Sequence, residues 1–102
     1  MTLPKLQFEQ RYFVTEDGTK IGYQVFGNPH GQPVLLANGL GGSYLAYCFL
    51  IDNFKDRFRF YCWDYRGVYS SGEPARGDET LSIAHHAADG VALIEHENLE
   101  KV

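Results

Sequence analysis

The residues best placed to do chemistry in this sequence are Asn38-Gly-Leu-Gly-Gly-Ser43. Glycines let a backbone turn sharply and aim unpaired N–H groups at one point, and a helix beginning at Ser43 adds the positive end of its dipole. Such a loop holds an anion, either a bound phosphate or an oxygen that becomes negative during a reaction. Neither phosphate signature is met: no Gly-Lys-Ser/Thr closes the loop, and the third glycine of G-x-G-x-x-G would fall at Tyr44. Glycines that merely permit a tight strand-to-helix turn are the plain alternative. The histidines offer less. His30 lies in a turn, adjacent His85 and His86 point in different directions on a helix, and His96 has no second ligand four residues away, so no metal set forms. Their plain reading is exposed or partly buried helix histidines. Cys48 and Cys62 sit in apolar segments without a CxxC pairing and read as reduced core thiols.

The elements that must position this loop follow from periodicity. Arg11 to Glu16 alternates with Tyr12 and Val14 on one face, Asp17-Gly18 supplies a turn, and Lys20 to Phe26 alternates with Ile21, Tyr23 and Val25 in phase, which is the pattern of a β-hairpin. After the turn formers of Gly27 to Pro33, the unbroken apolar run Val34 to Ala37 reads as a parallel strand buried on both faces. Ser43 is placed to cap a helix continuing to Phe54, and Phe58 to Trp63 forms a fourth strand. Gly67 to Asp78 is a long irregular connection. A final helix fits Thr80 to about Glu97, with Ile83, Ala87, Val91 and Ile94 making its apolar stripe. Gly90 costs that helix about 1 kcal/mol relative to alanine. In an open α/β sheet ligands gather at the carboxyl ends of parallel strands, which singles out the loops after Ala37 and after Trp63.

Composition narrows the partners. The chain has 102 residues, 44 % apolar, 15 % aromatic with seven Tyr and seven Phe, and 22 % charged, which is the make-up of a globular domain. Nine basic against thirteen acidic residues give a net charge of −4, so no electrostatic footprint for nucleic acid or an anionic membrane is present. The longest apolar run, Tyr44 to Ile51, is far below the ~18 residues that span a bilayer. The N-terminus lacks a hydrophobic stretch, and the expected address is cytoplasmic.

Taken in order, a hairpin, a buried strand into Asn38-Gly-Leu-Gly-Gly42, a helix, a strand into Asp64-Tyr-Arg-Gly-Val-Tyr-Ser-Ser71 and a helix carrying Asp89 resemble the N-terminal part of the α/β-hydrolase fold family over roughly Tyr12 to Val102. The resemblance implies an α/β architecture, a β-hairpin followed by β-α-β-α in an incomplete, mostly parallel sheet. Residues 1–102 would form the N-terminal portion of one such domain, with 1–10 as an extension. It implies that the backbone N–H of Leu40 is an oxyanion-hole donor, an effect worth several kcal/mol of barrier. It also implies that Asp64, Arg66 and Gly67 form a structural turn, with the Asp and Arg holding neighbouring loops through charged hydrogen bonds, and that Asp89 has a structural part; on its own terms Asp89 reads as a solvated helix residue. Two positions depart from the pattern: Asn38 stands where many members carry His, and Tyr69 takes the place of the second glycine in Asp-x-Arg-Gly-x-Gly-x-Ser.

The family's nucleophile lies in Gly-x-Nu-x-Gly after the next strand. The only glycine pairs so spaced are Gly18 with Gly22 and Gly27 with Gly31, and their central residues are Lys20 and Pro29. The elbow is therefore expected beyond the segment Leu99 to Val102, which would open the strand leading to it, and the acid and His of the triad would lie later still. The expected parent is a cofactor-free hydrolase of esters, amides, epoxides or carbon–halogen bonds that takes a small-molecule substrate and most commonly uses a serine nucleophile, while the 102-residue chain alone is inactive. Two alternatives stay open: a small module that binds an anion at Asn38 to Ser43 without chemistry, and a chain whose sheet is completed by a partner.

Overall fold

The computed structural model describes residues 2–102. Its elements are β1 (Glu9–Val14), β2 (Lys20–Gly27), β3 (Gln32–Leu36), α1 (Cys48–Phe54), β4 (Phe58–Trp63) and α2 (Ile83–His96). The four strands form one sheet in the order β1-β2-β4-β3. β1 pairs with β2, and β2 with β4, in antiparallel fashion, while β3 runs parallel to β4. The α/β architecture and the incomplete sheet are those expected, and within these strands the parallel character is confined to the β3–β4 pair. β1 opens at Glu9 and so takes up the last two residues of the expected extension.

The hairpin turns at Asp17-Gly18, where the Thr15 N–H donates to the Thr19 carbonyl at 2.9 Å and the Asp17 carboxylate accepts from the Thr19 N–H at 3.3 Å. Its register pairs Phe13 with Ile21 and Arg11 with Tyr23. Phe13 therefore joins the core, and Tyr12 and Val14 turn their shared face to solvent. Strand alternation divides the interior into two layers. Phe13, Ile21, Tyr23, Val25, Tyr61 and Trp63 pack beneath Leu93 of α2, and Phe26, Leu36, Phe60 and Cys62 pack against Ile51 of α1. β2 is buried from Ile21 to Phe26 because Ile21, Tyr23 and Val25 lie in the layer beneath α2, Phe26 lies in the layer against α1, and Ser70 covers Gly22 and Gln24.

Three expectations are corrected. The strand drawn at Val34 to Ala37 is Gln32–Leu36, and it is half-buried, because its outer side is a sheet edge with no neighbouring strand among the described residues. The helix after Ser43 begins as a 3₁₀ turn over Tyr44–Tyr47 and becomes α-helical only at Cys48, although Ser43 does cap it, its Oγ accepting from the Leu45 N–H at 3.3 Å. The third concerns α2. It starts at Ile83, capped by Ser82, and ends where Asn98 adopts a left-handed conformation (φ 57°), the Leu99 N–H reaching back to the Ile94 carbonyl at 3.0 Å.

The apolar stripe expected to bury α2 does not do so: Ile83 is 82 % exposed, Ala87 and Val91 are exposed, and the face turned to the sheet carries His86, Asp89, Gly90 and Leu93. Each polar member of that face has a physical reason to be there. Asp89 meets Arg66, the His86 ring stacks on Tyr65 with centroids 4.1 Å apart, and Gly90 leaves room for Trp63, whose indole would lie 2.8 Å from an added Cβ. Beyond α2 the chain returns to the outer edge of β3, where the Gln32 amide donates to the Lys101 carbonyl at 2.8 Å.

Candidate functional site

The loop Asn38 to Gly42 leaves the carboxyl end of β3 and faces the end of β4. Asn38 fixes its root. The side chain is buried, its Nδ2 donating to the Trp63 carbonyl at 2.9 Å and its Oδ1 accepting from the Cys62 thiol at 3.4 Å. An amide thus joins the ends of two parallel strands where the family pattern often has an imidazole, and it brings no titratable group. The Cys62 thiol is pushed up to about 12 by burial, aided by the charge of Asp64, so it remains a protonated donor.

The carbonyls of Ala37, Asn38, Gly39 and Gly41 are taken. Tyr47 donates its hydroxyl to the Ala37 carbonyl, Tyr65 to that of Asn38 and Tyr69 to that of Gly41, the last at 2.6 Å. The Gly42 N–H donates to the Gly39 carbonyl at 2.9 Å, closing a turn in which Gly41, at φ 71°, takes the conformation that suits glycine at its third position. The central N–H groups, of Leu40 and Gly41, have no acceptor among the described residues. Leu40 is 87 % exposed and an added Cβ at Gly39 or Gly41 would meet nothing within 4 Å, so the donors face open space. Two adjacent free N–H groups flanked by bound carbonyls are a geometry that accommodates an anion. Burial is the first cause that raises the Tyr65 hydroxyl above its ordinary range, so it stays a donor at neutral pH.

Beside the loop lies a cavity of about 480 Å³, walled by Leu40, Trp63, Tyr65 and the first turns of α2 at Ile83 and His86. A larger groove of about 860 Å³ runs between Phe8 and Phe26 and reaches Lys55, away from the glycine loop. Trp63 Nε1 and His86 Nδ1 have no hydrogen-bond partner among the described residues. Burial pushes His86 below its ordinary value, with Asp89 opposing and Arg66 adding to the effect, so the ring is neutral around pH 7. The reading of this histidine as exposed or partly buried is corrected, and the structure places His30, His85 and His96 elsewhere: His30 is exposed in its turn, His85 contacts Ser82 through Nδ1 at 2.8 Å, and His96 stacks on Phe13 at 5.3 Å. Cys48 and Cys62 are buried free thiols.

The turn after β4 is structural. Arg66, 3 % exposed, makes a two-pronged pair with Asp89 at 2.9 and 2.7 Å, and its Nη1 donates to Asp17 at 2.8 Å and to Thr80 Oγ1 at 3.1 Å. It therefore ties the hairpin turn and the 3₁₀ turn Asp78–Thr80 to α2. Asp89 is 2 % exposed, which corrects its reading as a solvated helix residue. Asp64 accepts from Gln24 Nε2 at 3.1 Å and from the Ser70 N–H at 3.2 Å, while Ser71 Oγ donates to the Asp64 carbonyl at 2.6 Å. Sequence reasoning located the loop and this turn but not the three tyrosine hydroxyls that hold the loop. Tyr69 in a glycine position was the one visible signal.

No protein-family model matches the chain. Among curated proteins, the probable oxidoreductase EphD of Mycobacterium tuberculosis and that of Mycobacterium bovis are each 32 % identical to it over 92 residues, covering 90 % of this chain and 15 % of the relative. Among solved structures, an alpha/beta hydrolase from Novosphingobium aromaticivorans superposes with a TM-score of 0.81 at 24 % identity, covering 95 % of this chain and 34 % of the other. The epoxide hydrolase VrEH1 from Vigna radiata gives 0.78 at 24 % identity, covering 93 % and 30 %. The Cif epoxide hydrolase from Acinetobacter nosocomialis gives 0.72 at 17 %, covering 87 % and 26 %. The chain thus spans about a third or less of the length of the proteins it resembles.

Proposed function

The chain has the fold of the N-terminal part of an α/β hydrolase, and from that premise we propose that it supplies the oxyanion-binding half of a hydrolytic active site. The observation that carries this reading is the turn Gly39 to Gly42, with its Gly39 and Gly41 carbonyls bound and the N–H groups of Leu40 and Gly41 free at the end of a parallel strand. The Leu40 N–H donates to the oxygen that gains negative charge when a carbonyl is attacked, whether that of an ester or amide substrate or that of the ester formed when a carboxylate nucleophile opens an epoxide or displaces a halide. Because Tyr47, Tyr65 and Tyr69 already hold the loop, the donor needs no rearrangement as charge develops, and that is the condition under which such a donor lowers a barrier most. The nucleophile, acid and histidine come from outside these 102 residues. Esters, amides, epoxides and carbon–halogen bonds are the bond classes of the parent reaction, and the epoxide hydrolases among the structural neighbours favour including epoxides. Serine is the most common nucleophile for this fold. Oxidoreduction, named for the Mycobacterium relatives, is not assigned to this segment, which spans 15 % of them and in which Tyr44 occupies the third glycine position of a dinucleotide loop.

The test is a graft. The matching N-terminal part of the Vigna radiata epoxide hydrolase is replaced by this chain, and turnover of styrene oxide is measured alongside that of the isolated chain. The graft is expected to hydrolyse the epoxide and the isolated chain to leave it unchanged. A folded graft without turnover, or turnover by the pure isolated chain, overturns the reading.

A further inference from the structure

Tyr69 is an unlikely residue for its place. It is the second residue of the turn closed by the Ser71 N–H on the Val68 carbonyl at 3.0 Å, and its φ of 46° lies in the left-handed region that glycine and asparagine favour there. Its side chain is 67 % exposed, so no core contact offsets that conformation. What the ring does make is a hydrogen bond across 28 residues of sequence, from its hydroxyl to the Gly41 carbonyl at 2.6 Å. Tyr47 and Tyr65 hold the root of the glycine loop at Ala37 and Asn38, and the hydroxyl of Tyr69 is the one side-chain donor on its outer half among the described residues. A strained, exposed side chain aimed at one carbonyl of a ligand loop marks a clamp.

We propose that Tyr69 is a positioning residue, a strap that holds the Gly41 carbonyl away from the open face of the loop and so keeps the Leu40 N–H turned toward an incoming oxyanion. The strap itself requires only the hydrogen bond; its effect on turnover rests on the hydrolytic reading above. Glycine would relieve the backbone at this position, whereas a long side chain with a terminal donor is what reaches the Gly41 carbonyl.

Two variants separate a strap from a merely structural residue. Tyr69→Phe removes the donor and keeps the ring, whereas Tyr69→Gly removes both and relaxes the turn. In the 102-residue chain, hydrogen exchange followed by NMR is expected to show the Gly42 amide, the one in this turn whose N–H is bonded, to the Gly39 carbonyl, exchanging roughly three- to tenfold faster in both variants, the consequence of losing one hydrogen bond. The melting temperature is expected to fall slightly or not at all in Tyr69→Phe and to hold or rise in Tyr69→Gly. In the graft, both are expected to lower kcat about tenfold with KM within about twofold, the signature of a contact felt in the transition state. Unchanged loop exchange in Tyr69→Phe overturns the strap. Faster exchange with unchanged kcat in an active graft overturns its positioning role, and an inactive wild-type graft indicts the hydrolytic reading while the exchange data still decide the strap.

Discussion

Replacing Arg66 by methionine removes the cation that joins three parts of the fold. The guanidinium is buried with its two-pronged partner Asp89, also buried, and it holds the Asp17 carboxylate of the hairpin turn. Without it Asp89 becomes an uncompensated charge under the sheet, and breaking a buried pair in this way costs about 3–5 kcal/mol. A domain of this size has only about 5–15 kcal/mol of stability to lose. With a urea slope near ~2 kcal/mol/M, a loss of about 4 kcal/mol moves the midpoint down by ~2 M. The single tryptophan, Trp63, is buried, so its fluorescence reports the transition at micromolar concentration. Arg66→Met combined with Asp89→Leu replaces both charges by apolar groups of similar volume and should recover about half or more of the loss, since replacing a pair is far cheaper than breaking it. A midpoint shift below about 0.5 M for Arg66→Met, equivalent to roughly 1 kcal/mol, would refute the argument, as would a double variant no better than the single one.

Other outcomes follow from the same structure. His86 has its pKa lowered by burial, so the folded state disfavours its proton; its contribution to stability is complete above about pH 6.5 and drains away as pH falls below that, and His86→Phe, which can keep the stack on Tyr65, should flatten the stability profile between pH 5 and 7 in chemical denaturation. Asp17, held well below the carboxylate range chiefly by Arg66, adds stability that is present above about pH 4 and is lost as pH falls further, a loss that Asp17→Asn should abolish. Gly90→Ala gains about 1 kcal/mol of helix propensity but pushes a methyl into the Trp63 indole, and overpacking of about 1–3 kcal/mol should win, lowering the thermal midpoint. The open edge of β3 and the exposed stripe of α2 should make the chain self-associate, and Val91→Lys should raise the concentration at which light scattering appears without lowering the melting temperature.

The hairpin, β4 and the glycine loop were legible in the sequence because each announces itself locally, through alternation, Asp17-Gly18 and clustered glycines. α2 was legible as a helix but not in its orientation. Periodicity assigns the core to the stripe with most apolar residues, yet the buried stripe holds His86, Asp89 and Gly90, whose partners Tyr65, Arg66 and Trp63 lie more than twenty residues away. Long-range pairing of polar groups leaves no periodic trace. The link from Arg11 to Glu97, at 2.8 Å between β1 and the end of α2, was invisible for the same reason. The loop was legible, and its tyrosine supports were not, because a hydroxyl reaching a carbonyl has no fixed spacing.

The claim that the Leu40 N–H is the oxyanion donor is tested most directly by deleting that N–H alone. Leu40 is the second residue of the turn Gly39 to Gly42, a position proline favours, so Leu40→Pro keeps the backbone path and removes the hydrogen, while Leu40→Ala keeps both. Measured in the graft, kcat for Leu40→Pro should fall by about 10²–10³, with Leu40→Ala within about threefold of the parent. Equal rates for the two variants in folded protein would contradict the account.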